Sequence, residues 1–208
     1  MAEPRRLEQA QKLLRQVPKA KRPLNQRLLV AAALSVVMSP PPIVVGGTAE
    51  EFWTGDEYHP TDLDLIPGPS RADQEAFRDL GFKKEGRHWV REDIPIATEF
   101  PQDESFEVRR TFDQKVADVL VKIIGVDDLY LDRLGQSTST INIRDQHFSS
   151  LLAVALTNWG NLDWPYIETR IVEITTVTAD LGDSMRTMHR RCRRATRNAL
   201  ARQREKLL

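Results

Sequence analysis

The stretch "IVVGGTAEEFWTGDEYHPTDLDLI", residues 43–66, determines the fold that the sequence predicts. A short apolar run ends at two glycines, a helix-compatible segment follows, and two aspartates then alternate with leucines. Alternation at period two is typical of a β-strand with one buried face. The stretch therefore predicts a strand, a glycine turn, a helix and a second strand.

The two aspartates, Asp62 and Asp64, are expected on one face of the second strand, because residues i and i+2 of a strand point the same way. Their Cα atoms would lie about 6–7 Å apart. Carboxylates this close repel each other, and a divalent cation usually accounts for such a pair. The alternative is a pair of exposed strand acids, and the glycines upstream favour the metal site.

Gly46 and Gly47 lie between the predicted strand and helix. A backbone without Cβ atoms can approach a ligand closely, and the first N–H groups of a helix attract an anion. The simpler interpretation is a tight turn, and a turn can also be a phosphate cradle. An anion site beside a metal site suits a nucleoside triphosphate with magnesium.

The chain of 208 residues is long enough for one domain, or for one domain with a small appendage. Its single cysteine, Cys192, excludes an internal disulfide and suits a reducing compartment, so a cytoplasmic protein is expected. The arginines around Cys192 would lower the pKa of its thiol. The apolar run 28–38 is too short to span a bilayer, so no membrane contact is expected.

The formal net charge of zero hides basic ends and an acidic middle. Residues 1–40 carry eight Lys or Arg against two Glu, and residues 184–208 carry eight Arg and one Lys against one Glu. These ends therefore have charges of +6 and +8, which leaves −14 for the middle. The ends are either solvated helix faces or an electrostatic footprint for RNA or another polyanion.

The order of predicted elements indicates an α+β fold, with a small mixed twisted sheet, flanking helices and a helical C-terminal part. We expect N-terminal helices over 1–39, a core over 40–125, and helices over 126–208 that end in a basic helix. Ser70 is expected to cap a helix over 71–79. Residues 108–124 predict two strands with a turn near Asp113 and Gln114.

Three motifs in order carry a resemblance to a known family: "VVGGTA" followed by "DLDLI", "ATEFP" at 97–101, and "DDLYLDRL" at 127–134. Together they resemble the nucleotidyltransferase superfamily that includes DNA polymerase β. The pattern is most similar to small stand-alone bacterial and archaeal members, some of which are abortive-infection toxins. The resemblance covers roughly residues 40–170 and implies the nucleotidyltransferase fold.

The resemblance also implies the roles of individual residues. Asp62, Asp64 and Glu99 would be the catalytic carboxylates and the ligands of two magnesium ions, although the family often has aspartate where this chain has Glu99. The backbone at Gly46, Gly47 and Thr48 would hold the phosphates of the nucleoside triphosphate. In the resembled proteins the third motif lies beside the nucleotide pocket, so Arg133 or Asp132 is a further candidate for nucleotide binding. Lys122, on the strand before that motif, is a candidate for a phosphate contact by its position alone.

Other polar residues have simpler interpretations. Asp127 or Asp128 is expected to cap the helix that follows Gly125. His88 has no second histidine or cysteine at zinc-ligand spacing, so the sequence does not predict zinc.

The implied function is magnesium-dependent transfer of a nucleoside monophosphate from a nucleoside triphosphate to a hydroxyl acceptor. RNA, tRNA or a protein would supply that hydroxyl. The chain would then be a candidate toxin of a toxin–antitoxin pair, with a cognate antitoxin protein as partner. The alternative is a catalytically degenerate module that binds nucleotide or RNA.

The last helix is predicted to begin near Ser184. A narrow stripe of small and weakly apolar residues would dock it: Met185, Met188, Cys192, Ala195 and Ala199. Arginines occupy much of the remaining surface and would either pair with the acidic body or hold a polyanion such as RNA: Arg186, Arg190, Arg193, Arg194 and Arg197.

Overall fold

The computed structural model describes residues 3–55, 60–101, 106–138, 146–177 and 179–206. The chain divides into two compact units, Met1–Ile124 and Gly125–Leu208. The first unit combines helices with a seven-stranded mixed sheet, and the described part of the second unit is helical. This confirms the α+β fold class with a helical C-terminal part.

The elements of the first unit follow one another in a fixed order. They are α1 (Pro4–Leu14), a 3₁₀ turn (Val17–Lys19), α2 (Pro23–Val37), β1 (Ile43–Val44), α3 (Gly46–Thr54), β2 (Asp62–Ile66), α4 (Arg71–Asp79), β3 (Lys83–Glu85), β4 (His88–Arg91), β5 (Ile94–Glu99), β6 (Thr111–Val116) and β7 (Val119–Ile124).

The strand order in the sheet is β3-β4-β5-β2-β1-β7-β6. Strand β1 runs antiparallel to β2 and parallel to β7, and β2 runs parallel to β5. The end of β1 therefore lies level with Leu65 of β2, and the preceding residue Asp64 lies level with the end of β5. This arrangement brings residues distant in the sequence to one edge of the sheet.

The two faces of the central strands differ in character. Helices α2 and α3 pack against this sheet, and one face contributes fully buried apolar side chains: Val44, Leu63, Leu65, Val121 and Ile123. The aspartates of β2 alternate with these leucines and point to the opposite face. A register slip of one residue would bury carboxylates in place of leucines, so the apolar pattern fixes the register.

A buried ion pair ties α3 to α2. The guanidinium of Arg27 contacts the carboxylate of Glu51, and it also donates to the Pro60 carbonyl oxygen over 2.7 Å. Both side chains are almost completely buried. Removal of one partner from a buried ion pair typically costs about 3–5 kcal/mol. The pair therefore constrains where α3 lies against the sheet.

The turn between the last two strands differs from the sequence prediction. The prediction of a turn near Asp113 and Gln114 is wrong, because both residues lie inside β6 and the turn falls at Ala117 and Asp118. In the observed register, Asp113 lies opposite Lys122. Burial of the apolar residues of β7 outweighs the local turn preference of Asp113.

The cap predicted for α4 is confirmed. The Ser70 hydroxyl accepts from the Asp73 N–H over 3.2 Å, and the Asp73 carboxylate accepts from the Ser70 N–H over 2.9 Å. This reciprocal capping box satisfies two N–H groups that the helix itself leaves unpaired.

The second unit contains four described helices: α5 (Val126–Ser137), α6 (Gln146–Thr157), α7 (Trp164–Val177) and α8 (Ala179–Glu205). Helix α8 begins five residues before the predicted start at Ser184. Among the described residues, no helix is both long enough and apolar enough to span a membrane.

The capping role predicted for Asp127 and Asp128 is wrong, because Gly125 occupies the N-cap position of α5. Asp127 instead accepts from the Asp163 N–H over 2.8 Å, and Asp128 accepts from the Tyr166 hydroxyl over 2.6 Å. Both carboxylates are buried. They connect the beginning of α5 to the beginning of α7.

Candidate functional site

Strands β2 and β5 bring three carboxylates together at one edge of the sheet. The parallel register places Asp64 beside Glu99 and Asp62 beside Ala97. One oxygen from each of Asp62, Asp64 and Glu99 lies within 4.8 Å of the other two, and all three residues are half-buried. We refer to these three residues as the carboxylate cluster. Close carboxylates repel one another unless a proton or a cation intervenes.

Gly46 brings the start of α3 directly against this cluster. Its φ is +60°, and a Cβ atom at this position would lie 2.0 Å from Oδ2 of Asp64. No larger residue fits there without displacing either the carboxylate or the helix. The glycine is therefore needed both for its left-handed backbone and for the close approach of α3 to β2.

Two hydrogen bonds fix the first turn of α3 to the backbone of β2. The Val45 N–H donates to the Asp64 carbonyl over 3.0 Å, and the Thr48 hydroxyl donates to the Asp62 carbonyl over 3.0 Å. Thr48 is completely buried. Its hydroxyl thus holds the helix beside the two aspartates. Because the hydroxyl is already used in this way, the backbone N–H is the group of Thr48 that can bind an anion.

The first turn of α3 also presents N–H groups at the cluster. The first bond within this helix runs from the Ala49 N–H to the Val45 carbonyl over 3.3 Å, so the N–H groups of Gly46, Gly47 and Thr48 precede it. Val45 provides no side-chain cap, and the first turn contains no acidic residue. Such a helix start attracts anions. An anion-attracting turn therefore adjoins a cation-attracting cluster.

Lys122 lies on the acid-bearing face of the sheet but outside the carboxylate cluster. Its partner in register on β1 is Ile43, and β1 separates its strand from β2. Two strand spacings place Lys122 about 10 Å from β2. Its ammonium group lies 3.5 Å from the Asp113 carboxylate.

Arg133 belongs to α5 in the second unit, where it is largely buried. Its guanidinium donates to Oε1 of Gln136 over 2.7 Å and lies 3.5 Å from the Asp132 carboxylate. Gln136 also donates to Asp132, over 3.1 Å. The three side chains therefore form one polar network along a single face of α5.

Glu99 has two basic neighbours that are not predictable from the sequence. His88 lies opposite Glu99 in the β4–β5 register, with Nε2 3.4 Å from Oε2. The Arg87 Nε atom is 3.3 Å from the same oxygen, although its side chain is 73% exposed. Only the pairing of β4 with β5 brings these groups to the cluster, and the local sequence "EGRH" indicates no more than a hairpin turn.

A separate polar cluster lies inside the second unit. The Tyr130 hydroxyl is 3.0 Å from Nδ1 of His189. Burial, followed by the charge of Arg193, lowers the pKa of His189 to about 4, and burial raises the pKa of Cys192 to about 11. The expectation of a lowered thiol pKa is therefore wrong, because Cys192 is fully buried and the nearby arginines do not offset its desolvation.

No family model and no curated protein matches the sequence. Two solved structures are similar to the chain. An antigenic nucleotidyltransferase-like protein from Paracoccidioides brasiliensis aligns at 11% identity and a TM-score of 0.47, covering 77% of this chain and 91% of that one. The antibiotic-resistance factor ANT(2'')-Ia aligns at 16% identity and a TM-score of 0.41, covering 90% of this chain and 98% of that one.

Proposed function

We propose that this chain is a magnesium-dependent nucleotidyltransferase that moves a nucleoside monophosphate from a nucleoside triphosphate to a hydroxyl acceptor. One observation carries the proposal: Asp62, Asp64 and Glu99 converge within 4.8 Å beside the N-terminus of α3. A triphosphate with its metal needs both an oxygen-rich cation site and an anion site.

The residues present fit magnesium. The cluster offers only carboxylate oxygens, which are the ligands that this hard cation prefers, and half-burial leaves room for water ligands. Asp62, Asp64 and Glu99 would be the ligands of the two ions, and Glu99 would also act on the acceptor hydroxyl. When bound, magnesium would offset phosphate charge and lower the pKa of the acceptor hydroxyl.

The protein groups would act around that centre. The N–H groups of Gly46, Gly47 and Thr48 would donate to the β- and γ-phosphates and stabilise charge as pyrophosphate leaves. A carboxylate oxygen of Glu99 would accept the proton of the attacking hydroxyl. Lys122 and Arg133 are proposed as further nucleotide contacts. The acceptor would be RNA, tRNA or a protein hydroxyl, and an antitoxin partner would follow if the transfer is toxic to the cell.

The test is a transfer assay with each of four labelled nucleoside triphosphates, magnesium, total RNA and lysate protein. The intact chain should label one acceptor class, and Asp62→Asn with Asp64→Asn should abolish that labelling. Titration calorimetry with manganese and a non-hydrolysable nucleotide should show binding that the double variant loses.

A matched control removes two exposed carboxylates elsewhere, by Asp79→Asn with Asp118→Asn. This variant changes the net charge equally and should leave metal binding intact. Unchanged manganese binding in Asp62→Asn with Asp64→Asn would refute the metal site and the function proposed from it.

The second candidate is a catalytically degenerate module that binds nucleotide or RNA. It is favoured by the contacts of Glu99, because a guanidinium and an imidazole already lie 3.3 and 3.4 Å from its carboxylate. Under this alternative the chain binds nucleotide in calorimetry, yet no acceptor is labelled by any of the four triphosphates.

A further inference from the structure

Five arginines of α8 lie on one face of that helix. They occur at Arg186, Arg190, Arg193, Arg197 and Arg204, with spacings of four, three, four and seven residues. At 100° per residue these positions fall within a sector about 60° wide, over a length of about 27 Å. We call this set the arginine stripe. Helix α8 contains eight arginines and three acidic residues, so its net charge is +5.

A neighbouring face docks the helix and leaves most of the stripe outward. The buried positions are Met185, His189, Cys192 and Thr196, so only two members of the apolar stripe expected from the sequence are buried. Arg190, Arg197 and Arg204 are exposed, whereas Met188, Ala195 and Ala199 are half-buried.

Carboxylates neutralise only part of the stripe. Arg186 pairs with Asp183, and Arg193 pairs with Glu168. Within the described residues, Arg190, Arg197 and Arg204 have no carboxylate at ion-pair distance. Pairing with the acidic groups that the structure describes therefore does not explain these three charges.

Two tryptophans lie directly beside the stripe. The Arg193 guanidinium lies 4.7 Å from the ring centroid of Trp164, and that of Arg197 lies 5.8 Å from the ring centroid of Trp159. The two indole rings are 4.7 Å apart and inclined at 54°. Both tryptophans are half-buried. Cationic and aromatic groups therefore share one surface of the second unit.

We propose that this surface, made by the arginine stripe with Trp159 and Trp164, binds a single-stranded segment of a polynucleotide. Phosphates would contact the outward guanidinium groups, and unpaired bases would stack on the indoles. Trp164 also packs against Tyr130 and His189 inside the unit, so Trp159 is the ring that favours a polynucleotide over an acidic protein. An acidic protein would match the charge but would make no use of that half-buried ring beside Arg197. The proposal concerns the second unit alone and does not depend on nucleotidyl transfer.

The experiment measures binding of the full chain to a labelled 20-nucleotide oligouridine, by fluorescence anisotropy at several salt concentrations. An oligothymidine of equal length distinguishes RNA from DNA, and a duplex of that length tests the need for unpaired bases. We expect tighter binding to the single strands than to the duplex, and an affinity that falls steeply with salt.

The charge test is Arg190→Gln with Arg197→Gln and Arg204→Gln. Loss of three phosphate contacts should reduce the slope of log K against log salt by about 2, at about 0.7 per contact for single strands. The matched control removes three exposed charges from α1 and the residue that follows it, by Arg5→Gln, Lys12→Gln and Arg15→Gln, and should leave the slope unchanged. Equal effects of the two triple variants would show binding by net charge alone and would overturn the proposal.

The stacking test is Trp159→Leu, which should weaken single-strand binding by about 5- to 150-fold and leave duplex binding unchanged. Trp159→Phe keeps an aromatic ring and should restore most of the affinity. If Trp159→Leu remains folded by its thermal midpoint and binds single strands like the intact chain, the proposed surface is wrong. If Trp159→Leu unfolds, the charge test decides whether the proposed surface binds the strand, because its three substitutions are all at exposed positions.

Discussion

Gly46→Ala tests the contact that joins the helix start to the carboxylate cluster. The glycine has φ of +60°, where an L-residue with a Cβ atom is strained by about 1–2 kcal/mol. The added Cβ would also lie 2.0 Å from Oδ2, 2.7 Å from Cγ and 2.9 Å from Cβ of Asp64. Rotation of the carboxylate can relieve the first two overlaps. It cannot relieve the third, because Cβ of Asp64 is fixed to the strand backbone.

The first turn of α3 must therefore move away from β2 in this variant. Overpacking of this kind adds about 1–3 kcal/mol, so the free energy of unfolding should fall by about 2–5 kcal/mol in total. For a chain of this size, that loss lowers the thermal midpoint by about 5–20 °C. Displacement of Asp64 should also weaken manganese binding by about 10- to 100-fold, as expected when a metal ligand loses its support.

Gly86→Ala is the matched control, since Gly86 has φ of +58° and nothing within 4 Å of a built Cβ atom. It should show the backbone strain alone, with a loss of about 1–2 kcal/mol and unchanged metal affinity. Thermal unfolding and titration calorimetry measure both quantities. If Gly46→Ala matches Gly86→Ala in stability and in metal affinity, the argument for close approach is wrong.

The pKa of His189 is about 4 in the folded chain and 6.5 ordinarily, so the unfolded state binds the proton more tightly than the folded state. Up to about 3 kcal/mol of the free energy of unfolding should therefore be present above about pH 6.5 and lost as the pH falls towards 4. Urea unfolding across this range should show the loss, and an identical pH dependence in His189→Gln would contradict it. Cys192 is fully buried, and its pKa is raised to about 11. It should therefore resist a thiol-specific reagent at about pH 8 until denaturant is added. Rapid labelling of the native chain would show instead that the thiol is accessible. Arg87→Gln removes a positive charge beside Glu99, so calorimetry should show manganese binding about 2- to 5-fold tighter at low salt; weaker binding would mean that Arg87 supports the cluster.

The sequence alone determined the central strands and the acidic face of the site. Alternating leucines and aspartates in β2 could satisfy burial in only one register, because a shift by one residue would place Asp62 and Asp64 in the core. Strong local signals such as the Ser70 cap are likewise visible without the structure. The resemblance added Glu99, which the residues around it would not have singled out.

Tertiary structure decided what depends on pairing between distant segments. Local preference suggested a turn at Asp113, but burial of the β7 side chains moved it to Ala117. His88 and Arg87 reach Glu99 only because β4 pairs with β5. In the same way, packing determines which arginines of α8 face outward and which tryptophans lie beside them. Local sequence encodes backbone preference and periodicity. Contacts between remote side chains form only when the whole unit folds, because only the folded unit offsets the conformational entropy lost in ordering them.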